Sequence, residues 1–297
     1  MEFKKFEGIH SAIFSVYDEN LNVIEETVEK MVNYQLEHGV RGFYVGGNTG
    51  ECTVLPAKTR KQMLEAVIRA NKGRGQIMAH IGAGHFDETM ELLDHANSLS
   101  GVDAIASLPP SLSGYYDMNS TLDYYRALAE RSATPVFAYI TPVLNGSPVE
   151  FALRAAEIDN VAGIKLTVPD YFAFGRVVSA TEGRLNILNG PDETMLCGLA
   201  LGADGAIGTT YNILPRLAVG IYDDFKAGRL DDARKKQATL SNLIPHLLGH
   251  GLGYWKAVLE TMGYEMGDMV FPGKAFKGKE VDALREKLTA VGFYDLV

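Results

Sequence analysis

Cysteine is nearly absent: only Cys52 and Cys197 occur in 297 residues, too few and too far apart for a disulfide framework or a Cys-x-x-Cys pair. No disulfide is expected, and a reducing compartment suits both thiols. No apolar run reaches the roughly 18 residues a membrane-crossing helix needs. The stretch Met1-Glu2-Phe3-Lys4-Lys5-Phe6-Glu7 has neither the apolar centre nor the cleavage site of a secretory leader. The expectation is a cytoplasmic protein with no membrane partner. Positive charge is also short, 28 Lys and Arg against 37 Asp and Glu for a net charge of −9, which disfavours a general nucleic-acid or anionic-membrane surface. One pocket can still take an acid. Dinucleotide fingerprint, Walker loop, nucleophile elbow and Cys/His cluster are all missing, so no cofactor or metal is expected. His246 and His250 stand four apart, but Pro245 and Gly249 disturb that helix and no acidic partner accompanies them.

What is present is the balance of a globular chain, 46% hydrophobic and 22% charged, long enough for one large α/β unit. Short apolar runs alternate with helix-period segments. Strand-like runs lie at 8–16, 42–45, 76–81, 102–106, 135–140, 163–166, 185–188 and 205–208. Between and after them the spacing predicts helices at 22–38, 57–72, 87–99, 119–131, 148–157, 170–181, from near Pro191, and 214–227. Eight βα units at this period predict a parallel sheet closed as a (β/α)8 TIM barrel. An open doubly wound sheet is the alternative. Leu240, Leu243, Ile244 and Leu247, then Trp255, Val258, Leu259 and Met262, stand at helical spacing, so 228–297 reads as a C-terminal helical extension to a barrel of residues 1–227.

One residue does not fit its run. In Gly163-Ile164-Lys165-Leu166-Thr167 a lysine interrupts an apolar strand, and on a closed barrel neither strand face is water. Removing an ammonium from water favours the neutral amine, the form that attacks a carbonyl. The plain alternative is a lysine held by a buried carboxylate. Chemistry in such barrels lies at the C-terminal strand ends, which here carry Gly47-Asn48-Thr49-Gly50-Glu51, Tyr139, Lys165 and Thr167, Asn189-Gly190-Pro191-Asp192-Glu193, and Gly208-Thr209-Thr210. Adjacent strands are about 4.8 Å apart, so Tyr139 can reach a substrate carried on Lys165. The Asn48-Thr49 turn offers backbone N–H groups suited to a carboxylate. A phosphorylated ligand after the eighth strand is a competing idea, weakened because no lysine or arginine stands between there and Arg216.

These segments resemble the class I pyruvate-dependent aldolases, the family that contains N-acetylneuraminate lyase and dihydrodipicolinate synthase. The likeness covers most of the chain and rests on Gly47-Asn48-Thr49-Gly50-Glu51, on Tyr139 followed by Pro142 and Gly146, and on Gly163-Ile164-Lys165-Leu166-Thr167. It implies a barrel with a helical extension, usually a homotetramer, with Lys165 as the Schiff-base lysine and Tyr139 as its proton carrier. Asn189-Gly190-Pro191-Asp192-Glu193 and Gly205-Ala206-Ile207-Gly208-Thr209-Thr210-Tyr211-Asn212 are similar to the lyase branch. That branch implies a 2-oxo sugar acid, N-acetylneuraminate first, as the small-molecule partner. Its carboxylate would dock on Asn48 and Thr49, and its polyol chain on Thr167, Gly190, Asp192, Glu193 and Thr209. Leu144 stands where dihydrodipicolinate synthases carry an arginine. Two departures bear on the proton path: Asn48 replaces a hydroxyl residue, and Pro109-Pro110-Ser111 replaces a segment that often supplies a second tyrosine. A 2-keto-3-deoxy sugar acid aldolase, a dihydrodipicolinate synthase and a non-catalytic sugar-acid-binding barrel are the alternatives.

Overall fold

The computed structural model describes residues 3–109, 116–142, 144–247 and 251–297. Strand and helix alternate along it: β1 (Gly8–Ile13), α1 (Glu25–Glu37), β2 (Gly42–Val45), α2 (Ala57–Asn71), β3 (Gln76–His80), α3 (Phe86–Ser98), β4 (Ala104–Ser107), α4 (Met118–Arg131), β5 (Val136–Ile140), α5 (Pro148–Ala155), β6 (Val161–Leu166), α6 (Tyr171–Thr181), β7 (Asn186–Asn189), α7 (Met195–Ala200), β8 (Gly205–Gly208) and α8 (Pro215–Lys226). The eight strands are hydrogen-bonded in sequence order, and β8 pairs with β1 to close the barrel. This excludes the open sheet. Nearly every strand residue is buried, because helices cover the outside and side chains fill the inside. That double burial is why the strands read as continuous apolar runs.

Polar residues set the helix starts. Asp117 accepts from Ser120 N at 2.8 Å before α4, and Asp170 accepts from Ala173 N at 3.0 Å before α6, each satisfying an orphan N–H of the first turn. Ser147 does the same for α5, with Pro148 in the first turn. Inside the barrel, Phe6, Tyr44, Met78, Phe137, Tyr139 and Ile207 form a core separate from the one between strands and helices. Beyond α8 lie α9 (Leu230–Leu247), α10 (Leu252–Thr261) and α11 (Lys279–Ala290).

Several element ends shift by two or three residues from expectation, and two of the differences bear on the site. β1 ends at Ile13 rather than Val16, because the chain leaves the barrel to meet loops: Ser15 Oγ donates to Gly50 O at 2.9 Å, and Tyr17 bridges to Val23 and Gly267. The helix expected from Pro191 is preceded by a 3-10 turn, Asp192–Thr194. There Gln237 of α9 donates to the carbonyls of Asp192 and Glu193, each at 3.1 Å.

Candidate active site

The register places Tyr139 of β5 directly beside Lys165 of β6, with Leu188 of β7 on the other side. Strand alternation turns Lys165 inward, where it is 6% exposed. Its Nζ lies 4.2 Å from the Tyr139 ring centroid and 4.6 Å from that of Tyr44 on β2, close enough for both π faces to favour a cation. Among the described residues Lys165 takes part in no ion pair, so the carboxylate-held alternative is not what the fold builds.

A cavity of about 550 Å³ opens over this lysine, and Asn48, Thr49, Tyr139, Thr167, Gly190, Asp192, Glu193 and Thr209 line it with Lys165. The sequence-derived site residues therefore converge on one place. Thr49 Oγ1 and Thr209 Oγ1 share a hydrogen bond of 2.6 Å across the mouth. Asn48 Oδ1 accepts from the Cys52 thiol at 3.4 Å, which turns its amide N–H groups away from Cys52. Thr167 Oγ1 is buried without a hydrogen-bond partner among the described residues. A Cβ at position 190 would stand 1.7 Å from that oxygen, so only glycine leaves the hydroxyl its room. Burial pushes the Asp192 carboxyl up to about 6, against the pull of the Thr210 hydroxyl and N–H, which both donate to Oδ2 at 2.7 Å. Asp192 thus braces the turn after β8 with one oxygen and faces the cavity with the other.

Several neighbours were not singled out from the sequence. Tyr44 reads there as an ordinary strand aromatic; its inward position in line with Ala12 and Met78 becomes visible only once register is known. The ring of His80 lies tilted against Tyr44 and edge-on to Tyr139, and its Nε2 accepts from Leu108 N at 3.1 Å. Burial, with Arg60 and Lys165 nearby, holds that imidazole well below the usual range, so it stands neutral. Tyr171 donates to Asn189 Oδ1 at 3.1 Å. Trp255 of α10, taken as one of a helical series, lines the cavity. Pro110, Ser111 and His250 lie outside the described residues. At the opposite mouth a cleft of about 590 Å³ runs along the strand starts, over Gly8, Arg41 and Gln76, away from the end where such barrels carry chemistry.

A barrel whose sixth strand ends in a buried lysine without a counter-ion is suited to amine chemistry on a carbonyl. Fold and site together define a class I, pyruvate-dependent aldolase, a carbon–carbon lyase. The chain belongs to the Dihydrodipicolinate synthetase family, whose sequence model matches residues 5–291. It is 34% identical to the N-acetylneuraminate lyase of Rhizobium meliloti over 97% of this chain and 96% of that protein. To the N-acetylneuraminate lyase of Mediterraneibacter gnavus it is 31% identical over 95% and 91%. Among solved structures, the N-acetylneuraminate lyase of Aliivibrio salmonicida superposes with a TM-score of 0.90 at 26% identity, covering 98% of each chain. A sialic acid aldolase of Ruminococcus gnavus gives 0.88 at 27%, covering 99% of this chain and 100% of that one.

Proposed function

We propose that the protein cleaves a 2-oxo sugar acid, N-acetylneuraminate first, to pyruvate and an aldehyde sugar, working in the cytoplasm as a homotetramer. The observation that carries the reading is Lys165, buried without a counter-ion among the described residues and paired in register with Tyr139. The carboxylate docks on the Asn48-Thr49 turn. Lys165 Nζ then adds to the 2-oxo carbon and water leaves, giving an iminium that draws electrons from the C3–C4 bond. Tyr139 takes the C4 hydroxyl proton while passing its own to the substrate carboxylate, an acceptor that fits because the Asn48 amide is a poor proton carrier. The reverse transfer protonates the enamine at C3, and water releases pyruvate.

Thr167, Gly190, Asp192, Glu193 and Thr209 hold the polyol chain. Thr167 Oγ1 is buried and without a partner among the described residues, which favours a hydroxylated substrate over an apolar one, since a missing partner leaves a buried polar group unpaired. Among the described residues that line the cavity Lys165 is the one lysine or arginine, so a second carboxylate, as dihydrodipicolinate synthesis requires, meets no second cation among them. A second reading, a 2-keto-3-deoxy sugar acid aldolase, draws on Asn48 in place of a hydroxyl residue. Turnover measured side by side on N-acetylneuraminate and 2-keto-3-deoxygluconate tests the choice. Higher kcat/KM on the first supports the proposal; turnover of the second alone overturns it.

A further inference from the structure

The C-terminal helices reach back to both turns that face the cavity, and at each contact a buried or half-buried polar side chain meets backbone or carboxylate rather than apolar surface. At the first turn, Glu51 is 2% exposed, and its backbone is left-handed at φ +61°, a conformation unfavourable for a residue with a Cβ. Its side chain is held at both ends. Oε1 lies 2.7 Å from Lys256 Nζ of α10, and Oε2 accepts from Tyr17 OH at 2.5 Å. Lys256, 3% exposed, stands 4.1 Å over the Tyr17 ring and donates to Asp268 O at 3.1 Å. Two residues before Glu51 is Thr49, and Glu51 N donates to Asn48 O at 3.0 Å, so any shift of Glu51 moves the turn to which the carboxylate is assigned. At the second turn, Gln237 of α9 donates to the carbonyls of Asp192 and Glu193 and accepts from Leu196 N at 3.0 Å. Ser241 adds a donor to Glu193 O at 2.9 Å.

Building on the proposed function, we propose that the helical extension sets the two halves of the substrate site separately. Lys256 is a positioning residue for the carboxylate-binding turn, acting through Glu51. Gln237 is a positioning residue for the sugar-binding turn, acting through the carbonyls of Asp192 and Glu193. Neither touches substrate. Both act by fixing where first-contact groups stand, and misplacement of such groups by a fraction of an ångström to an ångström lowers binding steeply.

The test measures two half-saturations in wild type, Lys256→Met and Gln237→Met: pyruvate concentration for borohydride trapping at Lys165, and KM for N-acetylneuraminate cleavage. Lys256→Met should raise both by about tenfold or more, since both ligands carry the carboxylate. Gln237→Met should raise the sugar-acid KM several-fold and leave the pyruvate half-saturation unchanged. A third variant, Glu51→Gln with Lys256→Met, leaves no uncompensated charge. It should regain the stability that Lys256→Met loses without regaining the pyruvate half-saturation. If the two half-saturations move together in all variants, or follow stability, the extension is merely structural and the inference falls. Wild type that cannot be trapped by pyruvate would instead sink the proposed function, and the trapping arm makes that failure separately visible.

Discussion

The described residues include two lysines buried against tyrosine rings, and they differ in their polar partners. Lys256 lies over Tyr17 and reaches Glu51 at 2.7 Å; Lys165 lies between Tyr44 and Tyr139 and reaches no carboxylate among the described residues. Burial pulls Lys256 below the ordinary lysine range, and Glu51 opposes that pull. A buried lysine with its acid at hand is a strut. The same residue without one is not tied into an ion pair among the described residues, and the open cavity above it gives a carbonyl access. What separates the two is their partners, a carboxylate and a backbone carbonyl for Lys256 against an open cavity for Lys165, not burial.

Exchange of Lys165 should give the largest effect. Lys165→Met abolishes trapping and turnover while raising thermal stability, because a buried polar side chain with no carboxylate partner among the described residues gives way to an apolar one; calorimetry and an activity assay check both. Next is the hydroxyl on each side. Tyr139→Phe keeps the ring beneath Lys165 and should lower kcat by about 10²–10⁴-fold, with the pyruvate adduct still trapped. Tyr17→Phe keeps the ring beneath Lys256 and should leave kcat near wild type, while lowering stability by about 1.5–3 kcal/mol through the lost bond to a buried carboxylate. Equal kinetic losses in the two variants would erase the distinction.

Lys256→Met should destabilise the fold by about 3–5 kcal/mol, since it leaves Glu51 buried and unpaired; denaturant titration reads this. The smallest effect concerns Asp192, the carboxylate that faces the Lys165 cavity without pairing to it. Its carboxyl sits near about 6 in the fold, above its unfolded value. Between those two values the folded state holds the extra proton, so acidification through about 6 stabilises the fold at this residue, and the gain is lost as pH rises again. Relative to Asp192→Asn, wild type should gain about 2–3 kcal/mol between neutral pH and pH about 4, while Lys165 trapping stays within a few-fold.

The eight-strand alternation was legible in the sequence because parallel strands covered on both faces leave short, dense apolar runs between helix-period segments. Lys165 was legible for the same reason, as a charge inside such a run, and Tyr139 followed from strand spacing. The extension's share in the site was not. Glu51 and Lys256 are far apart in the chain, so no local period links them. Gln237 carries no chemistry of its own and acts through backbone carbonyls. Tyr44 and Trp255 look like core residues until register and helix packing turn them toward the cavity. The limit was long-range pairing of polar groups, which local pattern does not encode.

Of the two buried lysines, only the one that reaches no carboxylate among the described residues is expected to act as a nucleophile. Incubating the folded protein with pyruvate and borohydride, then mapping adducts by peptide mass spectrometry over both lysines, tests it directly. The expected result is one reduced pyruvate, on Lys165, and none on Lys256; no adduct, or an adduct on Lys256 in the folded protein, would contradict it.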